Sequence, residues 1–93
     1  MAQYRKKPVV IEALTWDEFI EYGKQNAESL VEGVPWAFSI NGYNITHCND
    51  EQYLIQTLEG EHNMTPNDML IIGVKGEIYP CKLDIFEATY DRV

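Results

Sequence analysis

Trp36-Ala37-Phe38-Ser39-Ile40-Asn41-Gly42-Tyr43-Asn44-Ile45-Thr46-His47 is the stretch on which the fold turns. Trp36, Phe38 and Ile40 alternate with Ala37, Ser39 and Asn41, the period of a half-buried strand. Asn41-Gly42 then supplies two residues that accept positive φ, as a two-residue type I′ hairpin demands. The return strand is antiparallel. So short a loop sets Phe38 opposite Ile45 and Trp36 opposite His47, which puts the imidazole beside the indole on one face.

Towards the C-terminus, Cys48-Asn49-Asp50-Glu51 reads as a turn, residues 52–58 as an alternating strand, and Glu59-Gly60 as a tight connection into residues 61–64. Thr65-Pro66-Asn67-Asp68 is a further turn, with Asp68 placed to cap it through backbone amides. A third hairpin follows, its strands 69–74 and 77–81 flanking Lys75-Gly76. Pro80 has no amide to donate, so its strand lies at an edge or ends there. In the last segment a capping pattern at Asp84-Ile85-Phe86-Glu87 meets alternation of Phe86, Ala88 and Tyr90. Helix and strand are both open there, and a short helical turn followed by a terminal strand is favoured.

Towards the N-terminus, residues 8–16 carry Val9-Val10-Ile11 and then Ala13, Leu14 and Trp16, apolar on both faces apart from Glu12. That pattern predicts a central buried strand. Glu12, a carboxylate among apolar neighbours, must find water, a donor or a cation, and a lysine is one candidate. Thr15-Trp16-Asp17-Glu18 has the form of a capping box. Phe19, Ile20, Gly23, Ala27, Leu30 and Val31 recur at helical spacing until Gly33 offers a stop. No repeat, low-complexity tract or linker divides the chain, so residues 1–93 are read as one α+β domain. One main helix is expected on a strongly bent, mostly antiparallel, partly barrel-like sheet of about six to eight short strands.

A chain of 93 residues, 45% apolar and 12% aromatic, has the composition of a folded domain rather than a disordered tail. Its net charge of −8 repels polyanions at long range, which argues against nonspecific nucleic-acid binding and suits a basic protein partner. Cys48 and Cys81 allow at most one disulfide, and no secretory leader pattern precedes them, so a reducing cytoplasm is expected. No apolar run has bilayer-spanning length, and no membrane partner is expected.

His47, Cys48, His62 and Cys81 can all ligate metals, yet adjacent strand residues point to opposite faces and the spacing fits no zinc knuckle. No metal and no cofactor are expected. Neither histidine lies in a nucleophile triad, elbow or metalloprotease pattern, and Gly73-x-x-Gly76 reads as hairpin punctuation. The carboxylates of Asp50-Glu51 and Glu59-x-Glu61 read as solvated, so the chain is expected not to be an enzyme.

Five of the cations, Arg5, Lys6, Lys7, Lys75 and Lys82, lie in two blocks, leaving Lys24 and Arg92 elsewhere. Should the blocks meet, Lys6, Lys7, Lys75 and Lys82 would converge on a phosphate or carboxylate, with Tyr79 and Trp36 stacking on a ring. The plainer alternative is that these lysines guard strand edges or neutralise nearby acid through weak surface pairs.

The same two blocks, Tyr4-Arg5-Lys6-Lys7-Pro8-Val9-Val10-Ile11-Glu12-Ala13 and the run from Met64 to Tyr90 built around Lys75-Gly76-Glu77-Ile78-Tyr79-Pro80-Cys81-Lys82, resemble a family of small phage and prophage proteins. Its members carry a Pro-Gly-Asp turn, an apolar strand, a Lys-Gly-Glu turn, Tyr-Pro-Cys-Lys-Pro-Asp and a Phe-containing Thr-Tyr ending. Asn67 replaces the turn glycine, Met69 an aromatic and Leu83 the proline after Cys-Lys; asparagine tolerates left-handed φ, while Met69 removes a stacking ring. The resemblance implies a small accessory factor in the bacterial host cytoplasm, acting on host systems without catalysis. Within that role, sequestration of a small anionic, nucleotide-like ligand comes first, on the clustering of the cations, with inhibition of a host protein through the acidic surface, or a purely structural or assembly module, as the alternatives. Short β-rich domains bearing tyrosine, tryptophan and open edges often complete their burial by association, so a homo-oligomer is expected.

Overall fold

The computed structural model describes residues 1–4 and 8–92. Among them, two helices accompany nine strands in three antiparallel sheets, an α+β arrangement with no closed barrel. No helix is long and apolar enough to cross a membrane among these residues.

The largest sheet grows from the Asn41-Gly42 turn. Asn41 and Gly42 adopt φ of 53° and 85°, the left-handed pair of a type I′ turn. Strands β4 (Ala37–Ile40) and β5 (Tyr43–Asn49) therefore pair with Phe38 opposite Ile45, as the loop length predicts. β6 (Gln52–Thr57) and β7 (Gly60–Met64) continue the meander in the order β4-β5-β6-β7. Phe38, Ile40, Ile45, Tyr53, Ile55 and Met64 are buried on one face, while Ser39, Asn44, Thr46, Gln56 and Asn63 stay in solvent on the other.

The capping box forms as expected. The Thr15 hydroxyl accepts from the Glu18 amide at 3.2 Å, and the Glu18 carboxylate accepts from the Thr15 amide at 2.9 Å. Helix α1 (Trp16–Asn26) buries Phe19 and Gly23. It stops seven residues before Gly33, where Ala27 turns extended, and further on Glu32 and Gly33, with φ of 52° and 81°, form a second left-handed turn. That turn joins β2 (Leu30–Val31) to β3 (Val34–Pro35), so the helical spacing of Leu30 and Val31 belongs to a short hairpin.

The third sheet corrects the expectation for residues 8–16. Only β1 (Glu12–Leu14) is a strand there, and it is an edge strand of the order β1-β8-β9. The centre belongs to β8 (Asp68–Ile72), whose Leu70 and Ile71 are both fully buried, with β9 (Ile78–Lys82) beyond. An edge position lets Glu12 reach water and leaves Val10 73% exposed. Bonds from the Gly73 amide to the Glu77 carbonyl and from the Leu83 amide to the Asn67 carbonyl fix which residues of the hairpin face each other. Alternation then turns the backbone of Ile78, Pro80 and Lys82 to the open edge, where the missing amide of Pro80 breaks no bond. The closing segment is helix α2 (Leu83–Thr89), and no terminal strand follows it among the described residues. Helical geometry places Phe86 and Tyr90 four apart on one face, their rings 5.2 Å apart.

Leu70 and Ile78 from this sheet join Phe38, Ile45 and Tyr53 in one core beneath α1. A methyl group built on Gly23 would stand 2.7 Å from the Phe38 ring and 2.9 Å from Pro35. Gly23→Ala should therefore destabilise the protein by about 1–3 kcal/mol through overpacking, read from the shift in its urea midpoint. Tyr53, 1% exposed, donates its hydroxyl to the Pro35 carbonyl at 2.7 Å. Burial first, and the Asp50 charge second, push its pKa from 10.0 up to about 12. A raised phenol pKa favours the native state fully below pH 10.0, and that contribution fades as pH climbs towards 12. Unfolding titrations should show this alkaline loss, and it should shrink in Tyr53→Phe, which itself costs about 1 kcal/mol for the lost hydrogen bond.

Candidate functional site

Asp68 is 4% exposed and fully engaged. Its Oδ2 accepts from the Thr65 amide and hydroxyl, both at 2.9 Å, which holds the Pro66-Asn67 turn. Its Oδ1 lies 3.5 Å from the Lys82 ammonium, because the β8–β9 register sets the two residues opposite each other. Lys82 thus neutralises a buried carboxylate. Lys75 sits exposed in the turn at the other end of the hairpin, while Lys82 closes the five-residue β9, whose two ends stand roughly 13 Å apart at the usual strand rise. The expected meeting of Lys75 and Lys82 is not formed along this strand. Lys6 and Lys7 lie outside the described residues.

Trp36 is 46% exposed and stacks on His47 with ring centroids 4.8 Å apart. The His47 amide donates to the Trp36 carbonyl at 2.8 Å, as the register predicts. Tyr53 closes the other side of the imidazole, edge-on at 5.2 Å. Neither ring nitrogen of His47 has a hydrogen-bond partner among the described residues. Asp50 Oδ1 approaches Nε2 to 3.6 Å, beyond hydrogen-bond range, from a side chain that is 91% exposed and screened by water. Trp36 is occupied in covering this histidine.

Tyr79 is partly exposed on β9 and bonds to Tyr90. Burial, with that bond and neighbouring charge adding to it, pushes its phenol up to about 12. Tyr79 also lines a surface cavity, and a larger one is present elsewhere among the described residues. The larger, about 640 Å³, lies between the residues leading into β1 and the end of α2, with Val9, Val10, Met69, Phe86 and Tyr90 on its walls. The second, about 510 Å³, runs along the open edge of β9 beneath the β4–β5 and β6–β7 turns. Tyr43, Leu58, Glu59, His62, Glu77 and Tyr79 line it. Lys75, Lys82 and Trp36 line neither cavity.

The cleft along β9 escapes sequence reading because its walls come from separate hairpins, brought together by a bond from the Asn41 side-chain amide to the Gly76 carbonyl at 3.1 Å. Charge is the signal that was present. Between Lys24 and Lys75 the chain has no lysine or arginine, while Glu28, Glu32, Asp50, Glu51, Glu59, Glu61 and Asp68 fall in that span. The whole of β4-β5-β6-β7 lies inside it. Asp50, Glu51, Glu59 and Glu61 are exposed, at the two turns of β6 and on β7. Among the described residues no three His, Cys, Asp or Glu side chains are grouped to hold a metal ion, and Cys48 and Cys81 are free thiols.

The His47 ring covers one face of Trp36, so His47→Ala should uncover that face, read as a red shift of tryptophan emission and a loss of about 1 kcal/mol in urea unfolding. Comparison of the chain with models of protein families, with curated proteins and with solved structures returns no match.

Proposed function

We propose that the chain is a non-enzymatic accessory protein of phage or prophage origin that binds a basic region of a host protein in the bacterial cytoplasm. The cation-free span from Gln25 to Val74 carries this reading, since it covers a complete four-stranded sheet with acid at both of its β6 turns. A surface of one sign steers an oppositely charged partner into encounter and disfavours polyanions. The phage assignment rests on the two sequence blocks that resemble that family.

Sequestration of a small anion is less well supported. Lys82 is engaged with Asp68, and Lys75 stands at the far end of the same hairpin.

The test is affinity capture from host extract, comparing the protein with the Asp50→Asn, Glu51→Gln, Glu61→Gln triple variant. One basic protein should be retained in stoichiometric amount, released by salt and lost by the variant. Equal retention by the variant, or retention indifferent to salt, would overturn the reading. A small anion released in stoichiometric amount from the purified protein in native mass spectrometry would favour sequestration instead.

A further inference from the structure

The cleft along β9 has a chemical character of its own. Glu59 and Glu77 are among its lining residues with Tyr43 and Tyr79, and among the described residues no lysine or arginine lines it. Leu58, 95% exposed at the β6–β7 turn, and Pro80 on the β9 edge add apolar surface. Glu77 is held close by: its carboxylate folds over Gly73, where any side chain would collide with it. Its charge is also felt by the Tyr79 phenol. The Asn41–Gly76 bond ties the β4–β5 turn to the β8–β9 turn and so joins the two sheets beside the cleft.

Such a lining combines acid, aromatic rings and aliphatic surface. An arginine or lysine side chain matches it in every part: an apolar stem for Leu58 and Pro80, and a cationic head for two carboxylates and electron-rich rings. A volume of about 510 Å³ holds such a side chain with its flanking backbone. A small anion would meet two like charges in the same space.

We propose that this cleft seats a single arginine or lysine side chain presented by the basic partner. The inference rests on the binding role argued above and deepens it by naming the anchor point. Of the exposed acids on the sheet, Glu59 is the one that lines the cleft, whereas Asp50 and Glu51 sit at the opposite end of β6.

The experiment is an NMR titration of the intact protein with N-acetyl-argininamide, using the neutral isostere N-acetyl-citrullinamide as the control. Saturable amide shifts centred on Tyr43, Leu58, Glu59, His62 and Tyr79 are expected with the arginine probe and not with citrulline. Glu59→Gln should weaken the arginine probe by about fivefold or more, and Glu87→Gln on α2 should leave it unchanged. Both substitutions are at exposed positions, and an unchanged spectrum away from position 59 or 87 verifies folding. Shifts that fail to saturate, that citrulline reproduces, or that Glu87→Gln weakens as much as Glu59→Gln would overturn the proposal. The probe reports on the cleft without any host protein, and the triple variant used for capture leaves Glu59 and Glu77 in place. An empty cleft with salt-sensitive capture would sink only the anchor, and a filled cleft without capture only the partner.

Discussion

Phe19 is the point at which the separate parts of this fold are held together. It projects from α1 onto the rings of Phe38 and Tyr53, at centroid distances of 5.5 and 5.3 Å, and is fully buried. Edge-on and tilted packing of this kind adds to the ordinary gain from burying aromatic surface. The contact is possible because Gly23, one turn further on, lets the helix backbone approach Phe38 and Pro35. Tyr53 then completes the arrangement by holding the Pro35 carbonyl, which fixes the chain between β3 and β4. With α1 so placed, Leu70 and Ile78 of the smaller sheet pack into the same cluster, and two sheets that share no backbone ladder acquire a common core.

Where the sequence was legible, the determining chemistry was local. Asn41-Gly42 announces a turn because both residues tolerate φ that others avoid, and Thr15 with Glu18 announces a helix start because each satisfies the other's amide. The Trp36–His47 stack followed from turn length alone. Where it was not legible, the outcome depended on competition between distant segments. Val9-Val10-Ile11 and Met69-Leu70-Ile71-Ile72 are both good strand formers, but one site lies between two neighbours, and the uninterrupted run of β8 takes it. Leu30 and Val31 fitted a helix by spacing until Glu32 took a left-handed conformation that few would assign to glutamate. Lys75 and Lys82 looked alike as cations in one hairpin. A loop of five residues rather than two sets the register that gives Asp68 to Lys82, and no composition argument contains that information.

Electrostatics divides the molecule unevenly. One lysine is bound to a buried carboxylate that also organises the Thr65 turn, so its charge serves the fold. Removing one partner of such a pair leaves the other without compensation, which makes this corner sensitive to substitution despite the half-exposed ammonium. Asp50, Glu51, Glu59 and Glu61 lie exposed on a sheet that carries no lysine or arginine of its own, where they contribute self-repulsion and little stability. One of these acids, Glu59, lines the cleft along β9 together with Glu77, Tyr43 and Tyr79.

Pro80 illustrates how a single missing atom group can govern assembly. Because β8 and β9 bond through Glu77, Tyr79, Cys81 and Leu83, the outward row of β9 offers carbonyls at Ile78 and Pro80 but amides only at Ile78 and Lys82. An incoming strand laid along that row would have an acceptor left facing nothing at its midpoint. Growth of a continuous ribbon from molecule to molecule is thereby penalised at its first step, while side chains reaching in from the front, which need no ladder, meet no such obstacle.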